Sequence, residues 1–204
     1  ESPKKEQRDL AAAWQVIAWT RQGESYAARC QWKEAANAFS EAIVGDPKNH
    51  ELHRQRGNAY FHLGQLELAL QVFSEAIELE PHRWELRADR AKVYAHQECW
   101  AKAENDFRRV VQQNQSKELL CVALGALQLL EGDVQAYQQT CRDAFERFSD
   151  GNIGDRAGLV LLCSLSDDCD VDRQQLKQIA DAVFHGTGYS SRRKLAKGIN
   201  EYRG

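Results

Sequence analysis

Residues 50–83 read HELHRQRGNAYFHLGQLELALQVFSEAIELEPHR, and the stretches of equal length on either side repeat their pattern without a gap. Gly57 falls in register with Gly23 before it and Ala91 after it. In the same way Tyr60 aligns with Tyr26 and Tyr94, Ala69 with Ala35 and Ala103, and Phe73 with Phe39 and Phe107. Ala76 aligns with Ala42 and Val110, and Leu66 with Trp32 and Trp100. Pro81 aligns with Pro47, and the pattern weakens at Gln115. Agreement at so many positions over three copies is the mark of a repeat architecture, in which each unit buries its apolar flank only against a neighbour.

These positions resemble the tetratricopeptide-repeat (TPR) family, and the resemblance implies two antiparallel helices joined by a tight turn in each copy. The spacing places helices at about 10–29 and 32–44, 49–63 and 66–79, and 83–97 and 100–113. Asp46-Pro47 and Glu80-Pro81 end the second helices, because proline cannot continue a helix and restricts the residue before it. Small residues at Gly23, Gly57 and Ala91, and at Ala35, Ala69 and Ala103, let paired helices cross closely. The tyrosines fill the groove beside them, and Phe39, Phe73 and Phe107 pack toward the next copy.

The TPR resemblance also implies an all-α, right-handed superhelical solenoid of helix pairs. Regular repeats are assigned to 16–49, 50–83 and 84–117. Residues 1–15 are read as a frayed start followed by an N-terminal lid, since Leu10, Trp14, Ile17 and Ala18 extend the first apolar stripe backwards.

Residues 118–204 keep helical spacing but lose the strict pattern. The run ELLCVALGALQLL at 118–130 predicts a helix buried on two sides, with Gly125 still one full period after Ala91. Asp133 is placed to cap a helix bearing Val134, Tyr137, Cys141, Ala144, Phe145 and Phe148, where Tyr137 replaces the expected small residue. A fifth pair spans 155–165 and the stripe Leu176, Ile179, Ala180, Val183 and Phe184. A last helix at 189–203 shows Leu195, Ile199 and Tyr202 on one face and no partner. About five pairs and an unpaired helix are therefore expected. The open end and the absence of Met point to a fragment of a longer protein. Gly132, Asp133, Tyr137, Arg147, Phe148 and Asp150 also resemble the TPR arrays of large bacterial multidomain regulators with kinase or WD40 domains.

Composition agrees with an all-α chain: Ala, Leu, Glu, Gln and Arg dominate, and only three prolines occur. The formal charge of −3 supplies no field for a nucleic-acid partner. No apolar run approaches the roughly 18 residues of a membrane span. The basic run Arg192, Arg193, Lys194 and Lys197 reads as a solvated helix face. Six cysteines, none in a CxxC pair, read as buried thiols in a reducing compartment, so the chain is expected to be cytoplasmic.

The family resemblance implies a peptide-binding concave groove lined by the first helix of each pair. In the second repeat this face holds Arg54, Asn58, Phe61 and His62, and in the third Lys92 and His96, with Glu85 at the rim. Arg54, Asn58 and Lys92 would form a basic floor beside the aromatic and imidazole rings, suited to an acidic or C-terminal peptide. Val122, Ala126 and Leu129 in the fourth pair would take an apolar anchor. One branch of the family clamps the C-terminal carboxylates of chaperones with Lys, Asn and Arg. That clamp is incomplete here: Thr20 and Glu24 stand where its first part needs Lys and Asn, and one repeat on, where Arg54 and Asn58 match in kind, Asp89 replaces the next Asn and Leu119 and Ala123 replace the last Lys and Arg.

Other chemistry is weak. Asp168, Asp170 and Asp172 imitate a calcium loop, but Arg173 and Ile179 occupy its glycine and bidentate-acid positions. His50 and His53 share a helical face without a third ligand, so no metal is expected. Gly186-Thr187-Gly188 lacks the strand and lysine of a phosphate loop. No nucleophile–base pair is spaced for catalysis, and no cofactor is implied. The expected function is thus non-catalytic protein–protein interaction. The alternatives are a substrate-recruiting segment of a larger enzyme or a chaperone-tail binder. A homodimer through the end helices is a further expectation.

Overall fold

The computed structural model describes residues 3–113 and 118–186. Among them are ten helices and no strand: α1 (Pro3–Ala28), α2 (Trp32–Gly45), α3 (His50–His62), α4 (Leu66–Leu79), α5 (Trp84–His96), α6 (Trp100–Gln113), α7 (Glu118–Glu131), α8 (Val134–Phe148), α9 (Ile153–Cys163) and α10 (Arg173–Gly186). They fall into two compact units, Glu1–Gln113 and Asn114–Gly204. The helix read at 189–203, with the basic run and the dimer contact placed on it, lies outside the described residues.

In the first unit α1 pairs with α2, α3 with α4 and α5 with α6, and α2–α3 and α4–α5 join the pairs. The small residues of the repeat explain the pairing. A Cβ added at Gly57 would sit 2.8 Å from the Phe73 ring, and one at Gly23 would sit 2.7 Å from the Phe39 ring. Phe39 and Phe73 are fully buried, as are Ala35, Ala69, Ala103, Ala42 and Ala76. Phe39 shares a cluster with Leu52 and Ala59 of α3, and Phe73 shares one with Val93 of α5. Each ring therefore covers the glycine of its own pair and reaches the next. Tyr26 packs on the first cluster, and Tyr60 touches both.

The turn inside each pair repeats as strictly as the core. Cys30 (φ 57°), Gly64 (φ 72°), Glu98 (φ 57°) and Gly132 (φ 77°) adopt left-handed backbone at the same point of successive periods. The next amide reaches back to the helix: Gln31 N to Tyr26 O, Gln65 N to Tyr60 O and Cys99 N to Tyr94 O (each 2.9 Å), and Asp133 N to Gln128 O (2.8 Å). This closure satisfies carbonyls that a helix end leaves open. The turns between pairs also recur. Asp46 (φ −140°, ψ 75°) and Glu80 (φ −136°, ψ 79°) leave the helical region before Pro47 and Pro81, as proline demands. His53 Nε2 then donates to Pro47 O at 3.0 Å, and Arg87, in register one repeat later, donates to Pro81 O.

Two expectations for the N-terminus change. Helix α1 already runs from Pro3, so residues 3–8 are helical rather than frayed. The supposed lid stripe does not close on the stack, because Leu10, Trp14 and Ile17 are exposed. Val16 and Trp19, one helical face round, make the contact with the first cluster instead.

In the second unit α7 packs on α8 and α9, and α9 on α8 and α10. Tyr137 is fully buried and lies over Gly125, where an added Cβ would come within 3.2 Å of its ring. Its hydroxyl donates to Leu162 O at 2.9 Å, which ties α8 to α9. Asp133 caps α8 through Ala136 N, Asn152 and Asp155 form a capping box on α9, and Asp172 caps α10 through Gln174 N and Gln175 N.

Candidate functional site

The first helices α3 and α5 lie side by side and present the residues expected to bind. Near their N-terminal ends Arg54 Nε donates to Asp89 Oδ2 at 2.7 Å, and Lys92 Nζ donates to Asp89 Oδ1 at 2.8 Å. Glu51 adds a second, longer contact to Arg54 at 3.3 Å. Burial by itself lowers the Arg54 pKa, but Asp89 and Glu51 outweigh it and hold the guanidinium above its ordinary value. Asp89 is only 7% exposed, so it joins both cations from within the fold. The basic floor expected from Arg54, Asn58 and Lys92 is therefore an ordered cluster of mixed sign. Two cations face Asp89 and Glu51, and little positive field remains.

Toward the other end of the same helices the rings gather. Phe61 meets His96 edge-on at 5.5 Å and His62 at 5.6 Å, and Trp32 stacks on His62 at 4.1 Å. Phe61 is half-buried against Ala69, Phe73 and Val93, while His62 and His96 are exposed. Asn58 is half-buried one helical turn from Arg54 and from Phe61 and His62, so it belongs to the same face. Beyond Arg54 the face opens into a cleft of about 270 Å³ lined by His50, Glu51, Arg54, Arg83, Glu85 and Leu86. Within it Glu85 Oε2 is buried without a hydrogen-bond partner. A buried carboxylate oxygen in that state is costly, and a donor entering the cleft would relieve it.

The second unit holds a different cluster. The sulfurs of Cys141, Cys163 and Cys169 all lie within 4.8 Å of one another. Cys163 and Cys169 thiols directed at Cys141, with Tyr137 and Arg142 beside it, draw the Cys141 pKa down against the effect of burial. The same contacts push Cys163 up. No spacing in the sequence announces this trio, because it joins α8, the end of α9 and the loop after it. The three aspartates of the imitation calcium loop have separate tasks: Asp168 bonds Ser166, Asp170 pairs with Arg142, and Asp172 caps α10. His53 is buried on Pro47 O and shares no metal-type cluster among the described residues.

This build defines a class: helix pairs in a gapless repeat, closed by small-residue crossings and left-handed turns. Residues 20–83 match the family model for the tetratricopeptide repeat. A repeat protein from Parabacteroides merdae is similar over 87% of this chain and 68% of its own, at TM-score 0.65 and 15% identity. The MamA protein is similar over 88% of this chain and 96% of its own, at TM-score 0.63 and 13% identity. The second TPR domain of human RPAP3, solved in complex with the HSP70 peptide SGPTIEEVD, is similar over 57% of this chain and 98% of its own. Its TM-score is 0.54 and its identity 20%. No curated protein matches the chain. At these identities the likeness speaks for the fold. No described helix is long and apolar enough to cross a membrane.

Proposed function

We propose that the α3–α5 face binds a segment of another protein, and that the chain acts as a non-catalytic interaction scaffold. The fold is generally an interaction module, and similar domains bind peptides. The observation that carries the proposal is the joint display of Phe61, His62 and His96 beside the Arg54–Asp89–Lys92 cluster. An apolar or aromatic side chain of the ligand rests on the three rings, where edge and face contacts contribute roughly 0.5–1.5 kcal/mol each. A cationic or N–H donor of the ligand enters the cleft at Glu85. Lys92, whose ammonium is largely exposed, keeps donors for a ligand carbonyl.

The mixed charge argues for a ligand of mixed charge rather than an acidic tail. Asp89 stands where a carboxylate clamp requires a neutral donor, and it engages Arg54 and Lys92, the cations a terminal carboxylate would need. The test is a display library of random peptides, with the selected binder measured by fluorescence anisotropy. Phe61→Ala/His96→Ala and Glu85→Gln are expected to weaken that binder about tenfold or more with unchanged helical circular dichroism. Equal affinity in both variants would reject this face as the binding site.

A further inference from the structure

Three thiols meet in the second unit, held by hydrogen bonds at or close to each cysteine. The Tyr137 hydroxyl holds the carbonyl of Leu162, which fixes Cys163 against the helix that carries Cys141 one turn after Tyr137. Arg142 Nη1 donates to Asp170 Oδ2 at 2.8 Å, which draws Cys169 over Cys141. Cys169 N also reaches Ser166 O at 3.4 Å, and Arg173 bonds Asp167 O at 3.0 Å, so both ends of the loop are fastened. Cys141 and Cys163 are buried, and Cys169 is half-buried on the solvent side.

We propose that Cys141, Cys163 and Cys169 bind a zinc(II) ion as a three-thiolate site with one open position. A zinc–sulfur bond of about 2.3 Å sets the sulfurs of a tetrahedral site about 3.8 Å apart. All three sulfurs already stand within 4.8 Å, so closing on an ion takes at most about 1 Å of movement per pair. A disulfide, with its sulfurs at about 2.05 Å, would use two of the three and leave the third unused. The Tyr137 hydroxyl is engaged with Leu162 O and orients the cluster without supplying a ligand. Water fills the fourth position from the Cys169 side. Binding replaces three S–H protons, released to solvent, with three Zn–S bonds and leaves a net charge of −1 on the site. The site lies in the other unit from the proposed peptide face and stands independently of it.

The test uses the whole chain, reduced and metal-free. Zinc(II) is titrated in competition with a chromophoric chelator, and cobalt(II) serves as the spectroscopic probe. One ion per chain and a thiolate-to-cobalt charge-transfer band in the near ultraviolet are expected. Cys169→Ser, at the half-exposed loop position, is expected to lower zinc affinity about 100-fold or more. Cys30→Ser and Cys99→Ser should leave it unchanged. In the unaltered protein, zinc should slow alkylation of Cys169 and not of the exposed Cys30. Less than one ion per chain, wild-type affinity in Cys169→Ser, or alkylation of Cys169 indifferent to zinc would each overturn the proposal.

Discussion

Replacing Gly57 by alanine tests how the repeats are held together. In an ordinary helix interior the change stabilises by about 0.8–1.0 kcal/mol, because glycine is the poorer helix former. Here the new Cβ would stand 2.8 Å from Phe73 Cε1 and 3.0 Å from Cδ1 and Cζ, against about 3.5–4.0 Å for carbon atoms at rest. Phe73 has no free direction, since it is fully buried among Ala69 and Val93. Overpacking of this kind costs about 1–3 kcal/mol. The conflict with the ring offsets the propensity gain, and a net loss of up to about 2 kcal/mol is expected. The third copy shows a tolerated version: Ala91 stands in register, and its partner Phe107 is 6% exposed where Phe39 and Phe73 are fully enclosed. Urea denaturation followed by circular dichroism reads the effect, and Gly57→Ala combined with Phe73→Leu should recover most of it. A Gly57→Ala protein more stable than the parent by about 1 kcal/mol would show that the ring does not enclose this position.

Other consequences follow from the turns and the buried polar groups. Cys30→Gly and Glu98→Gly should each raise the urea midpoint by an amount equivalent to about 0.5–1 kcal/mol, since they relieve left-handed strain. Gly64→Ala should lower it, although its Cβ would meet nothing within 4 Å. Tyr137→Phe removes the donor to Leu162 O and should cost about 1–2 kcal/mol, read as earlier loss of protection in α8 and α9 by hydrogen exchange. Asp106 is 5% exposed and accepts two bonds from Arg90, at 2.8 and 2.9 Å. Arg90→Ala should therefore destabilise by about 2–3 kcal/mol in urea, while Arg90→Ala with Asp106→Ala should cost less than the two changes summed. The peptide SGPTIEEVD should show no saturable binding by anisotropy, because Asp89 engages the Arg54 and Lys92 cations that its carboxylates would need.

The gapless period made the first six helices legible, because small and aromatic residues at fixed offsets leave few other ways to bury both. Observed ends agree with the expected ones to within one residue from α2 through α6, and those of α4 and α6 coincide. Two of the left-handed turn residues, Cys30 and Glu98, carry no turn signal of their own, although Gly64 and Gly132 mark the same period. The charge of the α3–α5 face departs from the expected basic floor for a physical reason. In the sequence Asp89 reads only as a missing clamp asparagine, whereas buried on α5 it ties Arg54 to Lys92. The exposure of Leu10, Trp14 and Ile17 shows the limit of an apolar stripe: periodicity names a face, and only packing decides whether anything covers it. The thiol trio depends on how a loop folds back over α8, which spacing along the chain does not encode.

The most direct measurement is hydrogen–deuterium exchange of the full chain with and without a library-selected peptide ligand. Binding on the α3–α5 face predicts slower exchange along both helices, from Arg54 through His62 and from Glu85 through His96, with α2, α4 and α6 changed little. Protection confined to those second helices, or to the α7–α10 unit, would contradict it.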